Sequence, residues 1–262
     1  MIYDLQKASL WKRISAFLFD IIIFAVLAVG IAALMSAVLG YDQHMDVIET
    51  RKTQHIEACE NAYEQEHGVR VEFDVNMAYD EMSEEQKAIY AMVDEALGKD
   101  QTLSTAYMLL LNLSLTITVV STLISYLVLE FVVPLLFGHG RTLGKKIFGL
   151  GVMRTNSVKA TNMVLFVRML FGKFTIETMV PIFILIMMFF GIIGIVGPIV
   201  LLGMVVLEII AMCATRTNSA IHDLISDTVV VDMSSQMIFE SEQALIEYKK
   251  KLHEQDVSRS PY

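Results

Sequence analysis

The chain has 262 residues, 55% of them hydrophobic, with a mean hydropathy of +0.55 and a net charge of -9. That apolar mass excludes an ordinary soluble domain or a disordered chain and points to a membrane protein. No nucleic-acid partner is expected of so acidic a chain, and its two cysteines, Cys59 and Cys213, fall in segments expected on opposite sides of a bilayer, so no disulfide framework is implied.

Residues 14–39 carry one charge, Asp20. About 20 helical residues cross a bilayer core, so a first span is expected over 14–38. The run is too long for the apolar core of a cleavable leader, and no small-residue cleavage site follows it. Lys7, Lys12 and Arg13 precede it, and Tyr3 and Trp11 suit headgroup depth. Ala28, Ala32 and Ser36 offer a small-residue face.

Residues 40–101 hold 16 acidic and 5 basic side chains, enough chain for a small folded cap. The spacing predicts a helix over 44–67. Alternating Val69, Val71, Phe73 and Val75 predict a short strand. Ser83-Glu84-Glu85-Gln86 resembles a capping box, followed by Ile89, Val93 and Leu97 at helical spacing and by Gly98 as a stop. His55 and Cys59 stand at i, i+4 with His44 and His67 nearby. No second ligand pair has metal-site spacing, so a solvated helix face is the better reading, and no metal or cofactor is expected.

Residues 103–137 also carry one charge, Glu130, and predict a span over 106–135. Ser114, Thr118, Ser121, Thr122 and Ser125 recur at helical spacing along it. Such a stripe either lines a polar path or marks close packing, with hydroxyls bonding their own backbone; packing is favoured. The loop 138–173 holds seven Lys and Arg and no acid. Basic residues mark the cytoplasmic side, so this loop and both termini are expected in the cytoplasm and the acidic loop outside. Arg141, Lys145, Lys146 and Arg168 would then contact anionic lipid. A phosphate-loop reading of Gly140-Arg141-Thr142-Leu143-Gly144-Lys145-Lys146 fails, because His139 stands where a glycine is needed and Lys146 where Ser or Thr is needed.

Residues 174–214 carry only Glu177 and Glu208, and are too long for one span. Gly191-Ile192-Ile193-Gly194-Ile195-Val196-Gly197-Pro198 can turn, which gives spans over 174–191 and 197–214; one kinked helix is the alternative. Asp227–Asp232 reads as a strand with Gly149–Met153 as its partner. An amphipathic helix is expected over 239–254, with Leu245, Ile246 and Leu252 on one side. Its Lys249, Lys250 and Lys251 either touch anionic lipid or are simply solvated.

Ionisable groups within a membrane are costly and usually face protein or water. Asp20, Glu130, Glu177 and Glu208 all fall in the expected cytoplasmic half. Arg13 lies seven residues before Asp20, on the same helix face, and Arg13, Arg168 and Lys145 are the available counter-charges. The functional reading is a proton or cation site reached from the cytoplasm. The plainer reading, favoured because no acid continues the path outward, is a set of ion pairs that lock the helices. No nucleophile–base set appears, so no enzyme is expected.

Three ordered motifs resemble the RDD family of bacterial membrane proteins. They are Lys12-Arg13-Ile14-Ser15-Ala16-Phe17-Leu18-Phe19-Asp20, then Gly140 to Leu150, then Ile221-His222-Asp223-Leu224-Ile225-Ser226-Asp227-Thr228 with the valines that follow. The family is named for an arginine and two aspartates, which correspond to Arg13, Asp20 and Asp223. Arg168 falls where members often have an arginine. The resemblance covers 11–39 and 103–232, and leaves the acidic loop and the tail after 232 unexplained. It implies a transport-related role in a bacterial cytoplasmic membrane, since some members are linked to sodium–proton antiport.

The expected fold is an all-α polytopic membrane protein: a four-helix transmembrane bundle with a small extracytoplasmic loop domain and a short cytoplasmic β-hairpin-like element. Its expected parts are 1–39, the acidic loop 40–102, the remaining spans and basic loop over 103–232, and the tail 233–262. The expected function is a transporter, or accessory subunit of one, coupled to Na+ or H+. Its candidate cluster is Arg13, Asp20, Glu130, Glu208 and Asp223, with Arg13 setting the acidity of Asp20. The alternative is a non-transporting scaffold or sensor whose acidic loop binds a partner. Four spans are few for a water-filled route, which a homo-oligomer would relieve.

Overall fold

The computed structural model describes residues 8–215 and 217–259; Tyr3 and Lys7, read above as headgroup and flanking residues, lie outside them. The elements in order are α1 (Leu10–Val38), α2 (Tyr41–His67), α3 (Glu84–Lys99), α4 (Gln101–Phe137), α5 (Leu143–Ile147), β1 (Leu150–Arg154), α6 (Asn162–Phe189), α7 (Val196–Ala214), α8 (Ile221–Ile225), β2 (Thr228–Asp232) and α9 (Glu242–Arg259). Four of them, α1, α4, α6 and α7, are long and apolar enough to cross a membrane. The chain forms two compact units, one over 31–120 and one from the flanking segments.

In the 31–120 unit, Gly40 takes a left-handed conformation (φ 67°), which lets the chain leave α1 and enter α2 at once. Gly68, also left-handed, closes α2 by donating its N–H to Glu64. Ser83 and Gln86 form the expected capping box at the start of α3. Tyr63, Phe73, Ile89 and Val93 are buried together in a small core.

Two local expectations fail here. No strand forms over 69–75, because no second strand is there to pair with it. Phe73 instead turns into the core, and its N–H donates to the Glu60 carboxylate at 2.6 Å. Gly98 does not stop α3, which runs on to Lys99 and ends at Asp100. The Asp100 carboxylate accepts the N–H groups of Thr102 and Leu103 and so caps α4. His55 bonds Asp100 at 2.8 Å, and Cys59 is buried in the core, so the two do not act as a ligand pair.

In the other unit, β1 and β2 pair antiparallel, from Leu150 opposite Asp232 to Arg154 opposite Thr228. These are the expected partners, but α6, α7 and α8 intervene between them, so the sheet is not a hairpin. Leu150, Val152, Val229 and Val231 are fully buried. Gly191 and Gly194 take positive φ and part α6 from α7, so the two-helix reading holds and the single kinked helix does not. Ser125 donates to the carbonyl of Ser121, as the packing reading of the hydroxyl stripe expects; Ser114 does the same to Leu110 in the first unit.

The largest shift from expectation is the start of α6. It begins at Asn162, capped by the Thr161 hydroxyl, rather than at 174. Hydropathy reads residues 162–173 as loop because they carry Arg168 and Lys173. Arg168 is buried and Lys173 largely covered, and both pair with acids, which removes the penalty that hydropathy assigns to them.

Candidate functional site

The site grows from Asp223 in α8, which is fully buried. Its Oδ1 accepts two hydrogen bonds from the Arg168 guanidinium, at 2.9 and 2.7 Å. Its Oδ2 accepts one from Arg13 at 3.0 Å. Arg13 also donates to the carbonyl of Asn218. The Thr228 hydroxyl adds a bond to Oδ1 at 3.3 Å. Burial alone would raise the pKa of this carboxyl. Arg168, His222 and Arg13 outweigh it and hold the group well below the usual carboxylate range.

Arg13 and Asp20 do share a face of α1, but they do not pair. Arg13 turns to Asp223, and Asp20 turns to α5. Asp20 accepts the Thr142 hydroxyl at 2.5 Å and the Gly144 N–H at 2.7 Å. Thr142 in turn caps α5 through the Lys145 N–H. Gly144 lies against the Ala16 carbonyl and the Asp20 carboxyl, so any side chain there would push α5 off α1. The glycine of the basic motif therefore exists for close approach, not for phosphate.

Glu130 holds a second cluster. It bonds Lys173, and Lys145 stands 4.0 Å away. Burial pushes the Lys145 ammonium down to about 8, against the pull of Glu130. The lipid-contact expectation is corrected here. Lys145 and Arg168 are buried and bound to acids, so they cannot reach headgroups. Lys146 remains exposed and stacks over the Phe137 ring, and Arg141 bonds the Phe137 and Gly138 carbonyls.

Both charged clusters lie on widened π turns of the spans. Glu130 is in Leu127–Val132, and Arg168, Lys173 and Glu177 are in Arg168–Met179. A π turn shifts the register of the side chains that follow and is frequent at functional sites. Here it turns the charged residues toward Asp223, Lys145 and His222 rather than toward lipid. The hydroxyls of Thr175 and Thr178 bond carbonyls five residues back, which supports the wide turn.

These groups surround a cavity of about 450 Å³, walled by α1, α6, α7 and α8 and floored by Lys145. Asp20, Glu177, Glu208, Arg13, Arg168 and His222 all line it. Of the expected cluster, Arg13, Asp20 and Glu208 line the cavity; Asp223 lies behind Arg13 and Arg168, and Glu130 behind Lys145 and Lys173. Glu177 and His222 were not in the expected set. Glu177 bonds the His222 N–H at 3.0 Å and its Nδ1 at 2.7 Å. Burial pushes the His222 imidazole below its usual range, against the pull of Asp223. The available signal was that Glu177 is a membrane acid and that His222 precedes Asp223. What was not available was the contact between α6 and α8.

A family model described as the RDD family matches residues 7–227, which includes Arg13, Asp20, Arg168 and Asp223. No curated protein and no solved structure matches the chain.

Proposed function

The chain belongs to the RDD family and carries four helices of membrane-crossing length and hydropathy, and on that premise we propose that it is a cation transporter, or the subunit of one, coupled to Na+ or H+. One observation carries the reading: the cavity has surplus acid. Asp223 is met by two arginines, and Glu130 by two lysines. Asp20, Glu177 and Glu208 have no lysine or arginine nitrogen within 4.0 Å among the described residues. Two clusters of surplus +1 and three lone carboxylates leave the cavity at about -1 with a neutral histidine, which suits a cation or proton. Asp20 is the acid that binds it, and the Arg13–Asp223–Arg168 clasp holds α1, α6 and α8 around it.

The orientation belongs to this reading. The basic loop and both termini face the cytoplasm, because the Lys and Arg excess of 138–173 lies there. Arg141 and Lys146 meet anionic headgroups, and a homo-oligomer completes the route. All four apolar helices then cross the membrane with the acidic loop 40–102 on the outer side, and no covalent chemistry is assigned to the protein. Cation flux into proteoliposomes tests the reading. Asp20→Asn keeps one acceptor oxygen, for the Gly144 N–H, and removes the charge along with the acceptor for the Thr142 hydroxyl. Flux is expected to fall at least tenfold; unchanged flux, or none in the parent, rejects transport.

A second reading is favoured by the separate core of the 31–120 unit, which gives the acidic surface its own fold. In it the protein is a scaffold or sensor that binds a partner through that unit. Deletion of 42–100 separates the two, since the scaffold reading requires that flux play no part and that a partner be lost.

A further inference from the structure

Glu177, Glu208 and His222 come from α6, α7 and α8, and each offers a ligand atom within 4.8 Å of the others. Their placement is built rather than incidental. The π turn sets the direction of Glu177. Gly172, one turn before it, lies against Cα and Cβ of His222, so the absent side chain is what lets α8 approach α6. All three ligands face the cavity.

The polar accounting of the three is incomplete within the protein. Glu177 receives both its bonds on Oε1, and Glu208 accepts only the Ile221 N–H, at 3.3 Å on Oε2. Among the described residues, Oε2 of Glu177 and Oε1 of Glu208 accept no hydrogen bond, and neither carboxylate has a Lys or Arg partner. A lone carboxylate pair in a membrane-spanning segment is costly unless something neutralises it.

We propose that Glu177, Glu208 and His222 form a three-ligand site for a divalent transition-metal ion on the cavity wall. Two carboxylates and a neutral imidazole supply a charge of -2, which a divalent ion cancels. Imidazole with carboxylate favours Zn2+, Mn2+, Fe2+ or Co2+, whereas Na+, Mg2+ and Ca2+ take oxygen ligands. Binding at Nδ1 displaces the hydrogen shared with Glu177. The ring then carries its proton on Nε2, which stands 3.5 Å from Oδ1 of Asp223. Asp223 then stands on the far side of the ring, where carboxylates commonly support metal-bound histidines. The cavity leaves room for water to complete the coordination. This names a cargo class for the proposed transport and rests on that reading only for the ion being moved; binding stands alone.

The test is Co2+ titration of the full chain in nanodiscs, tag removed and chelator-treated, followed by its visible absorption bands. One Co2+ per chain is expected, displaced by Zn2+. Glu208→Gln, which still accepts the Ile221 N–H, and His222→Gln are each expected to weaken binding about tenfold or more. Size-exclusion profiles check that both variants remain folded. No Co2+ bands in the parent, or an affinity in both variants equal to the parent's, overturns the site. Sodium flux lost in Asp20→Asn without any Co2+ binding overturns the site alone. Co2+ binding with no flux of any cation supports the site and rejects transport.

Discussion

The two units of this chain are held together in opposite ways. The α2–α3 part of the 31–120 unit keeps apolar side chains inside and charges outside: Ile89 and Val93 are buried, while the Lys99–Glu95 pair is exposed. The other unit buries charge. Asp223, Arg168, Lys145 and Glu130 are all under 10% exposed, beside an exterior of Phe, Ile and Val. The inversion follows from the solvent. Where lipid surrounds a helix, apolar side chains gain nothing by turning inward, and paired polar groups become the contacts that specify which helices meet. Charge then does for the membrane unit what Ile89 and its neighbours do for the acidic one.

The strongest way to break the comparison is Asp223→Asn. It leaves Arg13 and Arg168 buried without a counter-charge, at a cost of about 3–5 kcal/mol. A large drop in melting temperature is expected in nanodiscs, with hydrogen exchange rising in α8 and around Arg168. If charge does not hold this unit, the change will be small. The counterpart is Ile89→Ala, with an expected loss of about 3 kcal/mol from the cavity it leaves. Limited proteolysis would then cut within 41–99 while the segments after 121 stay protected.

A smaller effect tests the local rule. Ser83→Ala removes the hydroxyl that accepts the Gln86 N–H and should cost about 1 kcal/mol. Hydrogen exchange in the first turn of α3 would report it. The smallest expected effect concerns pH. The Asp223 carboxyl has a depressed native pKa, held down by Arg168, His222 and Arg13 against burial. Its contribution is therefore complete above the unfolded value of about 4 and lost only as pH falls through the lower native value. Between pH 7 and pH 5 the melting gap between the parent and Asp223→Asn should not change. A gap that narrows over that interval would show that the clasp titrates in the ordinary range.

Much of this architecture is local, and local features were legible. The runs 14–39 and 103–137 read as spans because one charge in so many residues leaves no other use for them. The Ser83–Gln86 box was readable because its partners are three residues apart. The turn at Gly191 and Gly194 was readable because glycine admits positive φ. The two strands could be matched because both segments were expected on the same side of the membrane. The mistakes were local rules applied where a distant contact decides. Val69 to Val75 alternate, but a strand needs a partner. Gly98 breaks helices weakly, and the α3 contacts override it.

The sequence by itself determined that this is a membrane protein of one family with four segments long and apolar enough to span, and with Arg13, Asp20 and Asp223 among its marked residues. Only the tertiary structure decided who meets whom. Arg13 was assigned to Asp20, its neighbour on the helix, and instead binds Asp223, far along the chain. Lys145 and Arg168 were assigned to lipid and are buried against Glu130 and Asp223. Residues 162–173 were assigned to a loop and are helix. The reason is common to all three. Hydropathy and helical spacing treat each charge as if it faced lipid or water alone, while its real cost is set by the opposite charge that folding brings beside it. That partner lies on another element, and the Glu177, Glu208 and His222 group, drawn from three of them, is visible only once the elements have met.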